Sequence, residues 1–164
     1  LMSIFKNQFE ELLDSEEVHS RRVRINVFGR WEEKFPGVVR KPIREVIEAT
    51  KKYRGCSLNF FLVYNGTDEM LQAVEAIAQK ARNSKVISRI TSKTIKENLY
   101  TRDLPPVDLV IRTAGDPHLS NGFMMWDVAD AELCFSNKMW PQFSKRDFSK
   151  ALDSYGDRRR KLGA

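Results

Sequence analysis

The segment that most constrains the fold is a short apolar run, Leu109 to Ile111, that ends abruptly in Arg112 and then in a turn containing Gly115, Asp116 and Pro117. The run reads as a buried strand. A buried strand that delivers an arginine from its C-terminal end into a Gly/Pro turn has the layout of an α/β ligand site. In such sheets ligands lie outside the carboxyl ends of the strands. His118 and Ser120 follow within the same turn region.

Arg112 and Ser120 suit an anion. A guanidinium grips phosphate oxygens with two parallel hydrogen bonds, and a hydroxyl adds a third donor. Glu132 stands just before a second apolar run, Leu133 to Phe135. A carboxylate near a phosphate site suits Mg²⁺, which is usually shared between one or two carboxylates and the substrate phosphates. Taken singly, each of these residues is ordinarily a solvated or salt-bridged surface group. Their combination is what points to function.

The rest of the chain supplies the frame. Residues 22–28 alternate apolar and polar, as a strand with one buried face does. Leu58 to Tyr64 is a nearly unbroken apolar run and reads as a central strand covered on both faces. Helical spacing marks residues 3–14 and 41–53 and, more briefly, 92–101. Asn65-Gly66 turns the chain, and Thr67 is placed as the N-cap of a helix whose core face is Met70, Leu71, Val74, Ile77, Ala78 and Ala81. Asp68 and Glu69 suit its first turn. Ser144 to Asp147 resemble a capping box, followed by a stripe of Phe148, Ala151, Leu152 and Tyr155. Strands at 22–28, 58–64, 108–112 and 132–135 thus alternate with helices. The expectation is an α/β fold with one mainly parallel central sheet flanked by helices, in a single domain spanning 1–164.

Composition matters mainly for partners. Net charge is +6, from 28 Lys and Arg against 22 Asp and Glu, which fits an anionic partner. The basic residues are scattered apart from Arg158 to Lys161, so a nucleic-acid face is not indicated. Cys56 and Cys134 form no Cys-x-x-Cys pair and read as buried free thiols in a reducing cytoplasm. There is no Gly-x-Gly-x-x-Gly and no Walker loop, which argues against a nucleotide-binding module.

The 108–143 stretch closely resembles the C-terminal signature of the cis-prenyltransferases, the undecaprenyl diphosphate synthase family. That pattern runs D-L-x-I-R-T-x-G-E-x-R-L-S-x-F-x-x-W-x-x-x-Y-x-E-L-x-F, then W-P-x-F. Asp108, Leu109, Ile111, Arg112, Thr113, Gly115, Leu119, Ser120, Phe123, Trp126, Glu132, Leu133, Phe135, Trp140, Pro141 and Phe143 match it. His118 stands where the family has its second arginine, Asp116 where it has Glu, and Asp130 where it has Tyr. One extra residue, Asn121 or Gly122, separates Ser120 from Phe123. A second family stretch, L-N-x-x-x-N-Y-G-G-R-x-E-I, is matched at Leu58, Asn59, Tyr64, Gly66 and Glu69, with Val63, Asn65 and Thr67 departing from it. At the C-terminus Lys161-Leu162-Gly163 takes the place of the family's Arg-x-Gly.

The resemblance implies a transferase that condenses isopentenyl diphosphate with an allylic prenyl diphosphate to make a cis-polyprenyl diphosphate carrier, with Mg²⁺ as cofactor. It implies substrate binding by Arg112, His118 and Ser120, catalysis by Glu69 and Arg112, and metal binding by Glu132. It also implies a cytoplasmic homodimer that touches a membrane surface through its lipid product and binds no nucleic acid. The family's D-G-N-x-R-W loop, which supplies a magnesium carboxylate, is not present, so the chain is expected to be the C-terminal two-thirds of such an enzyme and, as it stands, a poor catalyst. The alternative is a family member that supports a catalytic partner without catalysing.

Overall fold

Val23–Phe28 (β1) and Cys56–Phe61 (β2) form a parallel ladder in register from Val23 against Cys56 to Phe28 against Phe61. A parallel pair needs a crossover, and here the crossover is helical. Trp31–Lys34 gives one short turn of helix (α3), and Gly37–Thr50 gives the main crossover helix (α4). The computed structural model describes residues 2–83 and 89–162. It divides into two compact units, residues 1–101 and 102–164.

In the first unit, helix Met2–Leu13 (α1) packs on α4, and Glu16–Ser20 (α2) leads into β1. Val39, Ile43 and Val46 recur at helical spacing on α4 and meet Phe9, Val18, Ile25, Trp31 and Phe35 in the core. Thr50 fastens the end of α4 to β1. Its buried hydroxyl accepts from the Ile25 N–H (3.0 Å) and donates to the Val46 carbonyl (2.8 Å). The expected helix at 41–53 begins earlier because Pro36 takes the extended cap conformation and Gly37 opens the first turn.

β2 corrects an expectation. It ends at Phe61, and Leu58 is 41% exposed, so the strand is not covered on both faces. Among the described residues its hydrogen-bonded strand neighbour is β1 alone. Cys56, at the strand's first position, is exposed, and Cys134 is half-buried; both thiols are free. Their burial was inferred from neighbouring apolar residues, but such residues do not guarantee cover at a strand end.

Gly66–Asn83 (α5) is capped by Asn65, not Thr67. The Asn65 side-chain oxygen accepts from the Thr67 N–H (2.9 Å) and the Thr67 hydroxyl (2.6 Å). The helix buries Gly66, Glu69 and Ala73, while Leu71 and Val74 remain 60% and 57% exposed. Of the apolar stripe read from the sequence, Met70 and Ile77 are half-buried, whereas Leu71 and Val74 turn outward. Glu69, whose buried carboxylate must keep its partners, sets the helix phase instead. Ser92–Lys96 (α6) stops five residues short of the expected 101, and the chain turns so that Leu99 and Thr101 are buried.

In the second unit, Leu109–Arg112 (β3) and Glu132–Phe135 (β4) pair in parallel, Leu109 against Glu132 and Arg112 against Phe135. Lys145–Leu162 (α7) follows. Its capping box is formed: the Ser144 N–H and hydroxyl donate to Asp147 (2.9 and 2.6 Å), and the Asp147 N–H donates back to Ser144 Oγ (3.4 Å). Ala151 is buried, whereas Phe148 and Leu152 of the expected stripe are largely exposed. Lys161 and Leu162 end this helix, and Gly163 lies outside the described residues.

The α/β class, the parallel pairing and the flanking helices agree with the sequence reading. The grouping differs: the described strands form two parallel pairs, not one ladder through all four. Apolar patterning identifies a strand and its buried face but not its hydrogen-bonding neighbour. Among the described residues no helix is long and apolar enough to cross a membrane.

Candidate functional site

The C-terminal end of β3 delivers Arg112 into a loop that folds back on it. Arg112 Nε donates to the Asp116 backbone carbonyl (2.7 Å), and a terminal guanidinium nitrogen lies 3.4 Å from the Asp116 carboxylate. The other Asp116 oxygen is 2.6 Å from His118 Nδ1. An ionised carboxylate only accepts, so the imidazole N–H donates. The His118 bond, helped by Arg112, holds the Asp116 carboxyl below the usual carboxylate range. Arg112, Asp116 and His118 are thus one hydrogen-bonded group at a strand's carboxyl end.

The loop's backbone is fixed by the segment after β4. The Ala114 N–H donates to the Lys138 carbonyl (2.7 Å), Gly115 to Ser136 (3.0 Å), and Ser136 to Arg112 (2.8 Å). Ala114 and Gly115 are both left-handed, at φ 76° and 70°. For alanine this conformation costs roughly 1–3 kcal/mol and persists only where the surroundings over-determine it, as they often do at binding sites. Ser120 opens a 3-10 turn, Ser120–Gly122, and its carbonyl accepts from Phe123 (3.0 Å). The extra residue relative to the family pattern is absorbed there by left-handed Asn121 (φ 51°) and Gly122 (φ 56°).

Glu132 is not brought to this group within one chain. It pairs with Leu109, three residues before Arg112, which is roughly 10 Å along the strand. Alternation puts Glu132 on the Leu109 and Ile111 face, and Arg112 on the other. Among the described residues no group of three or more His, Cys, Asp and Glu could hold a metal. Within one chain Glu132 and Arg112 therefore stand on opposite faces of the β3–β4 pair.

Glu69 belongs to the other unit and is engaged within it. It is buried, one oxygen accepting from the Tyr64 hydroxyl and the other from the Thr101 N–H (3.1 Å) and hydroxyl (3.3 Å). These bonds tie the start of α5 to the 100–101 turn.

The sequence reading missed two features. Asp116 reads in the sequence as a turn residue, and its spacing of four from Arg112 and two from His118 does not by itself distinguish a bridge from a turn. An apolar cavity of about 480 Å³ lies on the Leu109 and Ile111 face, lined also by Trp140, Phe143, Ser144, Lys145 and Phe148. Trp140 and Phe143 stack there with centroids 6.3 Å apart. In the sequence Leu109, Ile111 and Phe148 read as core, Trp140 and Phe143 as part of the family pattern and Ser144 as a cap, and nothing joined them into one cavity.

A family model described as undecaprenyl diphosphate synthase matches residues 1–163. An isoprenyl transferase of Thermotoga maritima is 39% identical over 163 residues, which are 99% of this chain and 68% of that protein. A tritrans,polycis-undecaprenyl-diphosphate synthase (geranylgeranyl-diphosphate specific) of Thermoplasma acidophilum is 35% identical over 164 residues, 99% of this chain and 63% of that protein. The crystal structure of lavandulyl diphosphate synthase from Lavandula x intermedia, in complex with dimethylallyl diphosphate, superposes with a TM-score of 0.83 at 25% identity. The match covers 94% of this chain and 66% of that one.

Proposed function

This chain belongs to the undecaprenyl diphosphate synthase family, and on that premise we propose that it acts in condensing isopentenyl diphosphate with an allylic prenyl diphosphate to a cis-polyprenyl diphosphate. The observation that carries this reading is Arg112, fixed at the carboxyl end of β3 and grouped with His118 through Asp116. The named activities of the relatives support it.

In the reaction an allylic diphosphate loses diphosphate as the double bond of isopentenyl diphosphate attacks its first carbon. A proton is then lost to leave the new cis double bond. The protein's task is to hold and neutralise diphosphate charge and to orient two apolar chains. Arg112 would grip the diphosphate of isopentenyl diphosphate, with His118 and the Ser120 hydroxyl as further donors. Because the Arg112 backbone is fixed by the ladder, little order is lost on binding.

Mg²⁺ remains the cofactor we propose, with Glu132 as its carboxylate, and when bound it would supply positive charge at a diphosphate. Glu132 and Arg112 diverge within one chain, so no step is derived through the metal. We also propose the homodimer, the cytoplasmic location and the membrane contact of a lipid product. Glu69 stays a proposed contributor to catalysis through the placement of α5. The divergence of Glu132 from Arg112 favours a second reading, a non-catalytic member that serves a partner.

Incorporation of labelled isopentenyl diphosphate into chloroform-extractable polyprenol tests the reading. The proposed enzyme, carried with the family's N-terminal part, incorporates label and loses incorporation in Arg112→Ala, whereas the 164-residue chain by itself incorporates it poorly. Diphosphate binding without incorporation points to the non-catalytic reading, and absence of both rejects the diphosphate site.

A further inference from the structure

The Asp116–His118 contact goes one step beyond the diphosphate site on which it rests. We infer that anion binding at this loop is proton-linked through His118, because Nδ1 is committed to Asp116 and only Nε2 is left to meet a phosphate oxygen. In the neutral ring the proton sits on Nδ1, where the Asp116 carboxylate takes it. Nε2 is then an acceptor and repels a phosphate oxygen. Only the imidazolium presents an N–H there.

His118 is more than half exposed, and Nε2 makes no hydrogen bond among the described residues. The charged groups on Asp116 are His118 itself and Arg112 from the end of β3. From the facing segment after β4, Lys138 is tied to Asp147 at 2.7 Å and is already neutralised. Arg112 stays charged at any working pH. The member of the group whose outward donor depends on protonation is therefore His118. Asp116 is a positioning residue: it chooses the tautomer and aims Nε2 outward.

Calorimetric titration of the chain with inorganic diphosphate, from roughly pH 5.5 to 8, tests this across the range where imidazole ordinarily titrates. His118→Arg is the internal reference, because its donor is permanent while the titration of diphosphate itself affects both proteins alike. The ratio of Kd, wild type over His118→Arg, should be within about threefold at low pH and should climb to about tenfold or more at high pH, the loss of one charge-assisted bond. In Asp116→Ala the neutral ring is free to carry its proton on Nε2, so the climb should shrink, and Asp116→Glu should restore it. A flat ratio, or an Asp116→Ala profile that matches wild type, would overturn the inference while leaving the diphosphate site intact. If neither wild type nor His118→Arg binds diphosphate at any pH, the site reading itself fails and the inference with it.

Discussion

The Tyr64 hydroxyl donates to the buried carboxylate of Glu69, and the same carboxylate takes the Thr101 N–H and hydroxyl on its other oxygen. Removing the carboxylate takes away the charged acceptor that these donors share. Glu69→Ala should therefore destabilise the chain by about 2–4 kcal/mol, since a hydrogen bond to a charged group contributes about 1.5–3 kcal/mol and a small cavity is added. Glu69→Gln keeps one acceptor oxygen and should lose about half as much. Urea unfolding midpoints measure both; an unchanged midpoint in Glu69→Ala would show that this network holds nothing.

Thr50 is the corresponding anchor between α4 and β1. Thr50→Val preserves shape but removes the acceptor of the Ile25 N–H. The expected loss is about 1–3 kcal/mol for the stranded backbone donor. Thr50→Ser should recover most of it by restoring the oxygen, and thermal unfolding of the three proteins compares them directly.

Arg112→Ala should weaken isopentenyl diphosphate by about one to three decades, from the loss of charge-assisted bonds worth about 1.5–3 kcal/mol each. Arg112→Lys should recover only part, because a point charge does not reproduce the fork. The allylic primer should be affected far less. Titrations with each substrate in turn would decide, and equal weakening of both would reassign this arginine.

Asp147 gives a pH prediction. Lys138, and then the Ser144 hydroxyl and N–H, hold its carboxyl well below the usual carboxylate range. A carboxyl whose pKa is depressed on folding contributes stability that is fully present above its unfolded value, near 3.9, and is lost as pH falls toward the folded value. The start of α7 should thus loosen in acid from about pH 4 downward. Asp147→Asn should remove this sensitivity while lowering stability at neutral pH. Circular dichroism during acid titration follows the difference.

Much of the site's address was legible in the chain. A three-residue apolar run ending in Arg112 and followed by Gly115 and Pro117 can hardly be other than a strand that delivers a cation to a loop. The family pattern through Ser120 and Glu132 named the chemistry. Asp116 was not legible as a clamp, because a turn aspartate and a bridging aspartate look alike until the loop's closure is known. The α5 face was misread for a related reason: apolar spacing there permits two helix phases, and the buried polar Glu69 selects between them.

The sequence by itself determined the strands, the crossover helix, the capping box at Ser144 and the arginine at the end of β3. Each of these depends on groups a few residues apart, where local sterics and hydrogen bonding decide. Only the tertiary structure decided which strands pair, that Glu132 lies on the opposite face from Arg112, and that His118 gives its Nδ1 to Asp116. Those are relations of register and closure, set by backbone hydrogen bonds such as Ala114 to Lys138 across a gap of 24 residues, and no local pattern encodes them.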